Sequence, residues 1–149
     1  MLKPLVFIAC LIKCCICKHS EDEHPERVHS LPEIGTLEDS LFSGYITISE
    51  SAPHKSIHYL LVESKSNPET DPLIIWFNGG PGCSSMYGFF LEIGPYQIKN
   101  DPDDHSKKLF RKNEHSWNRE ASLLIIEQPA GVGFSTCHGG SYWECESSD

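Results

Sequence analysis

The chain has 149 residues, of which 39% are hydrophobic and 22% are charged. This length and composition suit one ordinary domain with an apolar core and exclude a wholly disordered chain. The 21 acidic residues outnumber the 12 Lys and Arg residues, so the formal net charge is −9. A chain this acidic lacks the basic surface that nucleic acids and anionic membranes require, and we expect neither as a partner.

Residues 1–17 have the pattern of a secretory signal peptide. Lys3 supplies a positive start, residues 4–12 form an apolar core, and the small residues Cys15 and Cys17 precede a cleavage site. The apolar run is shorter than the about 20 residues that cross a bilayer, so no membrane attachment is expected after cleavage. A buried N-terminal helix or strand is the alternative. We expect the protein to enter the secretory pathway.

Cleavage would leave three cysteines, Cys83, Cys137 and Cys145. An odd number in an oxidising compartment implies a missing partner, an intermolecular bond or a free thiol, and the pairing stays open. The Cys and His residues near the N-terminus and in the C-terminal tail match no spacing typical of a tetrahedral zinc site. We therefore expect no metal and no cofactor.

Residues 18–40 are polar and acidic and are interpreted as a solvated lead-in. From Leu41 onward, short apolar runs alternate with turn residues. β-Branched and aromatic side chains predict one strand over residues 45–48 and a second over residues 57–63. The Ser-Ala-Pro-His segment between them favours a hairpin connection.

Residues 72–77 form a continuous apolar run, which predicts a strand buried on both faces of a mostly parallel sheet. A glycine-rich loop follows at residues 78–82. Ser84 or Ser85 is expected to cap a short helix through residues 86–91.

Residues 100–119 are charged and are interpreted as a loop, and residues 122–127 predict another buried strand. The following segment, residues 128–133, is again rich in glycine. An antiparallel start followed by buried strands that lead into glycine-rich loops indicates an α/β fold.

The first glycine-rich loop has three glycines within four positions, at residues 79, 80 and 82. Glycine adopts positive φ without penalty and allows a ligand to approach the backbone amide closely. An exposed N–H at the end of a strand can donate to a developing oxyanion, which is worth about 10²–10³ in rate. A tight turn without any chemistry is the alternative interpretation.

The segment 72–85, Pro-Leu-Ile-Ile-Trp-Phe-Asn-Gly-Gly-Pro-Gly-Cys-Ser-Ser, is followed by three more motifs in a fixed order. These are Glu-Ile-Gly-Pro at 92–95, Ser-Trp-Asn at 116–118, and Glu-Gln-Pro-Ala-Gly-Val-Gly-Phe-Ser at 127–135. Together with Ser-Gly-Tyr at 43–45, they resemble the serine carboxypeptidase family over residues 41–136.

The resemblance implies the N-terminal half of an α/β-hydrolase fold, with a mixed, mostly parallel sheet. It implies a serine-type carboxypeptidase that hydrolyses C-terminal peptide bonds through an acyl-enzyme, with peptide or protein C-termini as substrates. It also implies an extracellular destination or the lumen of a lysosome or vacuole.

Carried over residue by residue, the resemblance implies a peptide-binding half-site. The Gly80 amide would donate to the oxyanion, and Gly79 would set the turn. Asn78 would bind the terminal carboxylate of the substrate, and Trp76 would orient Asn78 from behind. Glu92 would belong to the carboxylate-recognition network, where a protonated acid donates a hydrogen bond at acidic pH. A core tryptophan, a turn-forming asparagine and a surface charge are the plainer alternatives.

The catalytic serine, acid and histidine have no candidates in this chain. Acyl transfer on this fold needs a serine between two glycines at second-neighbour positions, and no serine here has both. The resemblance implies a disulfide for Cys83 whose partner the chain does not contain. Residues 137–149 depart from the family pattern. The chain is therefore expected to be a fragment, inactive by itself, with residues 122–127 leaving an uncovered apolar edge.

Two other functions stay open at this point. An acyltransferase resembling the family would share the fold and differ only in its acceptor. A catalytically inactive binding protein would use Asn78 and Gly80 to hold peptide C-termini. A generic esterase is disfavoured by Asn78, Glu92 and the motif at 127–135 together.

Overall fold

A computed structural model describes residues 24–141 and 144–145. The predicted signal peptide, residues 1–17, lies outside the described residues. Within the described part of the chain, no helix is long and apolar enough to cross a membrane.

Six of the described strands form one sheet, and two more form a separate two-stranded sheet. In chain order the strands are β1 (Arg27–Leu31), β2 (Gly35–Ser49), β3 (His54–Val62), β4 (Leu73–Trp76), β5 (Tyr96–Asn100), β6 (Lys108–Lys112), β7 (Ser122–Ile126) and β8 (Thr136–His138). A π-helix, Gly88–Ile93, and a 3₁₀ turn, Trp117–Arg119, complete the described elements. The main sheet has the order β1-β2-β3-β7-β4, with β8 also paired to β3.

The hairpin predicted from the first two apolar runs is confirmed: β2 and β3 pair antiparallel, with Leu41 opposite Val62 and Tyr45 opposite His58. The expectation of a solvated lead-in over residues 18–40 is wrong where the structure describes it. That segment contains β1 and the start of β2, which pair antiparallel. An edge strand keeps polar side chains in water while its backbone pairs, so a polar composition did not reveal it.

The buried strand predicted at residues 122–127 is confirmed as β7, but its expected uncovered edge is wrong. β7 pairs antiparallel with β3 on one side and parallel with β4 on the other. β4 is the edge strand instead, and Leu73 and Ile75 on its outer face are 44% and 51% exposed. The prediction that this strand is buried on both faces is therefore also wrong. An apolar run does not specify which of two neighbouring strands lies at the edge.

The second sheet, β5 and β6, was missed because its residues are strongly charged, and residues 100–119 are therefore not simply a loop. This hairpin is anchored by contacts outside itself, as an isolated hairpin must be. Tyr96 is buried and its hydroxyl donates to Asp39 Oδ2 over 2.7 Å. Phe110 packs edge-on against Phe90 with ring centroids 5.6 Å apart.

The core lies between the main sheet and the π-helix, and its buried residues are Leu41, Leu60, Val62, Phe89, Ile93, Leu123 and Ile125. The helix predicted near residues 86–91 exists, and of the two predicted caps Ser84 is confirmed, since its hydroxyl accepts from a backbone N–H at the start of the helical stretch. Tyr87 precedes the first π-helical residue and makes no side-chain capping bond. Ser84 Oγ accepts from the Met86 N–H over 3.2 Å, whereas Ser85 bonds elsewhere.

The divergent tail begins in a strand. β8 pairs antiparallel with the start of β3, so that Cys137 lies opposite Lys55. A disulfide joins Cys137 to Cys145, which answers the open question of their pairing. Strand pairing in the main sheet therefore continues past residue 136, where the family resemblance was expected to end.

We expect residues 18–149 to associate at micromolar concentration, because the outer edge of β4 has no partner strand among the described residues and carries exposed Leu73 and Ile75. Ile75→Lys should shift the protein toward monomer in size-exclusion chromatography. Ile46→Lys is the matched control, since Ile46 is 55% exposed on β2, away from this edge. A monomeric, cooperatively unfolding unsubstituted chain would contradict the prediction.

Candidate active site

The glycine-rich loop directly follows β4. Neither the Gly79 nor the Gly80 N–H donates a hydrogen bond to any part of the chain that the structure describes. Gly80 has φ +152°, and a Cβ at this position would lie 3.0 Å from the Cys83 backbone nitrogen. The backbone at residue 80 is therefore specific for glycine, and its amide lies outside the sheet ladder as a free donor. That it faces an oxyanion stays a prediction.

The Asn78 side chain is oriented by two donors. Trp76 Nε1–H donates to Asn78 Oδ1 over 2.7 Å, and the Gly88 N–H donates to the same oxygen over 3.3 Å. Because the side-chain oxygen already accepts two hydrogen bonds, the Asn78 NH₂ group is the part of the amide that can donate to a ligand. The contact of Trp76 with Asn78 matches the geometry that the resemblance implies. Binding of a carboxylate by Asn78 stays a prediction.

Gly88 makes this arrangement possible, and sequence reasoning missed it. A Cβ at residue 88 would lie 2.3 Å from Trp76 Nε1 and 2.9 Å from Asn78 Oδ1. A glycine within a helical segment is unfavourable by about 1 kcal/mol relative to alanine. This cost is the signal by which the residue could have been found.

Glu92 is not joined to Asn78 by a hydrogen bond. Its side chain is exposed and has no hydrogen bond in the described part of the chain, whereas its backbone oxygen accepts from Gln97 Nε2 over 3.0 Å and from Asn113 Nδ2 over 3.4 Å. The π-helix directs Phe89 and Ile93 into the core, which leaves residue 92 toward solvent. Its role in carboxylate recognition stays a prediction.

Cys83, within the glycine-rich segment, is exposed and free among the described residues. The disulfide that the resemblance implies for it stays a prediction. Within the same described part of the chain, no cluster of three or more His, Cys, Asp or Glu side chains has the arrangement of a metal site.

Glu127, at the end of β7, is buried and accepts hydrogen bonds from three different segments. Its Oε1 accepts from Ser84 Oγ, and its Oε2 accepts from the Phe134 N–H over 2.7 Å and from His58 Nδ1 over 3.1 Å. Burial alone would raise the pKa of Glu127 and is the largest single influence. The hydrogen bonds from His58, Ser84 and Phe134 together outweigh it and hold the pKa below its ordinary value.

The same histidine reaches a serine on β2. His58 Nε2 lies 2.9 Å from Ser43 Oγ. Because the Glu127 carboxylate only accepts, His58 Nδ1 carries a proton, and in the neutral imidazole Nε2 then accepts from the Ser43 hydroxyl. Ser43 lies 15 positions and Glu127 lies 69 positions from His58 along the chain, so sequence reasoning did not connect the three residues. The only signals were a histidine in an apolar strand and a glutamate that ends one.

This Ser43–His58–Glu127 chain has the connectivity of a catalytic triad but not its surroundings. Ser43 lies in the regular β2–β3 ladder, and its N–H already donates to the Glu26 backbone oxygen over 2.8 Å. Acyl transfer needs free N–H donors that face the oxyanion formed when the serine oxygen attacks a carbonyl. We therefore assign these three residues no hydrolytic reaction of their own.

Two consecutive serines tie the glycine-rich loop to the end of β7. Ser85 Oγ accepts from the Asn78 N–H over 3.0 Å and donates to the Ile126 backbone oxygen over 2.6 Å. Ser84 makes the neighbouring contact with the Glu127 carboxylate. Both were predicted only as possible helix caps; Ser84 does accept from the Met86 N–H, and each hydroxyl also contacts the end of β7.

The sheet, the donor-rich loop at the end of β4 and the motif order agree with the comparison to known proteins. Residues 32–146 match the serine carboxypeptidase family, described as "Serine carboxypeptidase". The chain belongs to this family, and its sheet is the N-terminal part of an α/β-hydrolase fold.

Relatives at substantial identity support the assignment. The chain is 48% identical over 122 residues to serine carboxypeptidase-like 26 of Arabidopsis thaliana, covering 80% of this chain and 26% of that protein. It is 47% identical over 94 residues to serine carboxypeptidase ctsa-3.1 of Caenorhabditis elegans, covering 63% and 15% of the two chains. The chain therefore spans about a quarter or less of the length of these relatives.

A solved structure shows the same fold. The crystal structure of Kex1(delta)p, a prohormone-processing carboxypeptidase from Saccharomyces cerevisiae, superposes with a TM-score of 0.54 at 37% identity. The match covers 66% of this chain and 21% of the yeast chain.

Replacing His58 by Ala is expected to lower the free energy of unfolding by about 3 kcal/mol, because the buried Glu127 carboxylate loses a donor. His54→Ala is the matched control, since this histidine is exposed on the same strand, and it should change stability by less than about 0.5 kcal/mol. Urea unfolding at neutral pH measures both. Equal stability of the two variants would contradict the role of His58.

The lowered pKa of Glu127 predicts a pH-dependent stability. A carboxyl group whose pKa is lowered in the folded state stabilises the fold at pH values above its ordinary pKa of 4.5. This contribution is lost as the pH falls through the pKa of the folded state. The unsubstituted chain should therefore lose more stability between neutral and strongly acidic pH than Glu127→Gln does. Urea unfolding over this range measures the difference, and parallel curves for both proteins would contradict it.

Proposed function

We propose that this chain provides the carboxylate-recognition and oxyanion-donating part of a serine-type carboxypeptidase, which hydrolyses C-terminal peptide bonds through an acyl-enzyme. One observation carries the proposal. The unbonded N–H groups of Gly79 and Gly80 directly follow Asn78, whose side-chain oxygen is occupied by Trp76 and Gly88. This leaves a row of donors at the end of β4 without an acceptor in the part of the chain that the structure describes.

Such donors suit the chemistry of an exopeptidase. The enzyme must distinguish a free terminal carboxylate from an internal amide, and N–H donors favour the negatively charged group. In the proposed arrangement the Asn78 NH₂ binds the terminal carboxylate, and the Gly80 N–H donates to the oxyanion of the tetrahedral intermediate. No serine of this chain has the glycine neighbours of a nucleophile elbow, so we assign no nucleophile within it.

We also propose that the protein follows the secretory pathway. Residues 1–17 carry the signal-peptide pattern from which this proposal starts. The disulfide between Cys137 and Cys145 supports it, because such bonds persist in oxidising compartments.

The proposal predicts that the chain prefers a peptide with a free C-terminus. An N-acetylated dipeptide with a free carboxylate should bind at least about tenfold more tightly than its C-terminal amide, since a hydrogen bond to a charged group is worth about 1.5–3 kcal/mol. Asn78→Ala should abolish this preference, as measured by isothermal titration calorimetry.

Asn67→Ala is the matched control, because Asn67 forms a separate turn in which its side-chain oxygen accepts from the Glu69 N–H. This variant should keep the preference for the free carboxylate. Equal affinity of the unsubstituted chain for the acid and the amide would overturn the proposed function.

A further inference from the structure

The glycine-rich loop has its firmest attachment at a residue outside the loop. We propose that Glu127 is a positioning residue for the candidate site: through Ser84 it holds the Gly79 and Gly80 amides and the Asn78 side chain in their donor arrangement. This inference rests on the proposed function, which it deepens by naming what fixes the donors. Glu127 itself is not proposed to contact the substrate.

The loop is closed on β7 by two adjacent contacts. Its first residue, Asn78, donates its N–H to Ser85 Oγ, and Ser85 in turn donates to the Ile126 backbone oxygen. Ser84 donates to the Glu127 carboxylate. The segment between Asn78 and Ser84 thus leaves and returns at the same end of β7, and the two unbonded glycine amides lie within it.

The carboxylate that anchors this segment has little freedom to move. His58 Nδ1 and the Phe134 N–H hold its Oε2 from the side away from Ser84. A Cβ at Gly133, which has φ +57°, would lie 1.9 Å from Glu127 Oε1, so the following loop encloses the group closely. A fixed carboxylate transmits its position to Ser84, whereas a mobile one would not.

The Glu127 main chain is held as well. Its backbone oxygen accepts from Ser135 Oγ over 2.6 Å, and the same hydroxyl accepts from the His58 N–H over 2.8 Å. Both Glu127 and Ser135 are buried. The anchor therefore belongs to the sheet, and the loop is the part that depends on it.

Glu127 could instead serve only the packing of β3 against β7. The two roles differ in one contact. Of the three donors to the carboxylate, only Ser84 belongs to the segment after β4 that contains Gly79 and Gly80. Removing the Ser84 hydroxyl cuts the connection between Glu127 and the loop, together with the bond from the Met86 N–H, and leaves His58 and Phe134 bonded to the carboxylate. A double-mutant cycle of Glu127 and Ser84 therefore isolates positioning from packing.

The experiment compares the 149-residue chain with Glu127→Gln, Ser84→Ala and the double variant. We expect each single variant to reduce the preference for the free-carboxylate dipeptide over its amide about tenfold, and the double variant to lose no more than Glu127→Gln alone. In ¹⁵N NMR spectra, the Gly79 and Gly80 backbone amides and the Asn78 side-chain amide should shift in the same direction in both single variants.

Glu26→Gln is the matched control, because Glu26 accepts from the Tyr59 hydroxyl over 2.6 Å and has no hydrogen bond to the loop. It should leave both the peptide preference and the loop resonances unchanged. If Glu127→Gln does not fold by circular dichroism, Ser84→Ala decides alone, since it leaves the buried carboxylate with its two other donors.

The outcomes separate the inference from the proposed function. An unsubstituted chain that binds acid and amide equally overturns the proposed function, and the NMR comparison then decides on positioning. Additive losses in the double variant, or loop resonances that stay unchanged in folded Ser84→Ala, overturn the role of Glu127. Non-additive losses with matching loop shifts support it.

Discussion

A buried carboxylate must be supplied with hydrogen-bond donors, because leaving it unsatisfied costs several kcal/mol. Glu127 is 0% exposed, and its donors come from β3, from the loop after β4 and from the loop after β7. Satisfying one charge therefore brings three separate segments of the chain together. They meet at the carboxyl end of the parallel pair β4–β7, which is the edge where open α/β sheets bind ligands.

The candidate site follows from the same strand geometry. Residues two positions apart on a strand point to the same face, so Trp76 and Asn78 lie on one side as the chain leaves β4. Gly88 presents no side chain between the indole and the amide, and both Trp76 and Gly88 donate to the Asn78 oxygen. The loop therefore leaves the Asn78 NH₂ and the Gly79 and Gly80 N–H groups without acceptors among the described residues, and such donors suit a carboxylate or an oxyanion.

Membership of the serine carboxypeptidase family gives this loop a context, although the chain spans only about a quarter of its Arabidopsis relative. The apolar edge of β4 and the loop lie next to each other, so Leu73 and Ile75 become exposed at the same strand that presents Asn78. The Ser43–His58–Glu127 chain shows how connectivity alone can mislead. Its serine lies in a regular ladder without free donors, and its acid is occupied in holding a loop.

Elements whose signals are local could be predicted from the amino-acid sequence. Apolar runs predicted the β2–β3 hairpin and β7, and the ordered motifs predicted the family. The importance of Gly79 and Gly80 could also be predicted, because the backbone freedom of glycine depends on the residue type alone. Three features became evident only in three dimensions: which strand lies at the edge, the pairing of the polar segments β1, β5 and β6, and the meeting of Ser84, His58 and Glu127. Strand pairing joins residues as distant as His54 and His138, and buried hydrogen bonds join residues up to 79 positions apart, so no local pattern in the chain records them.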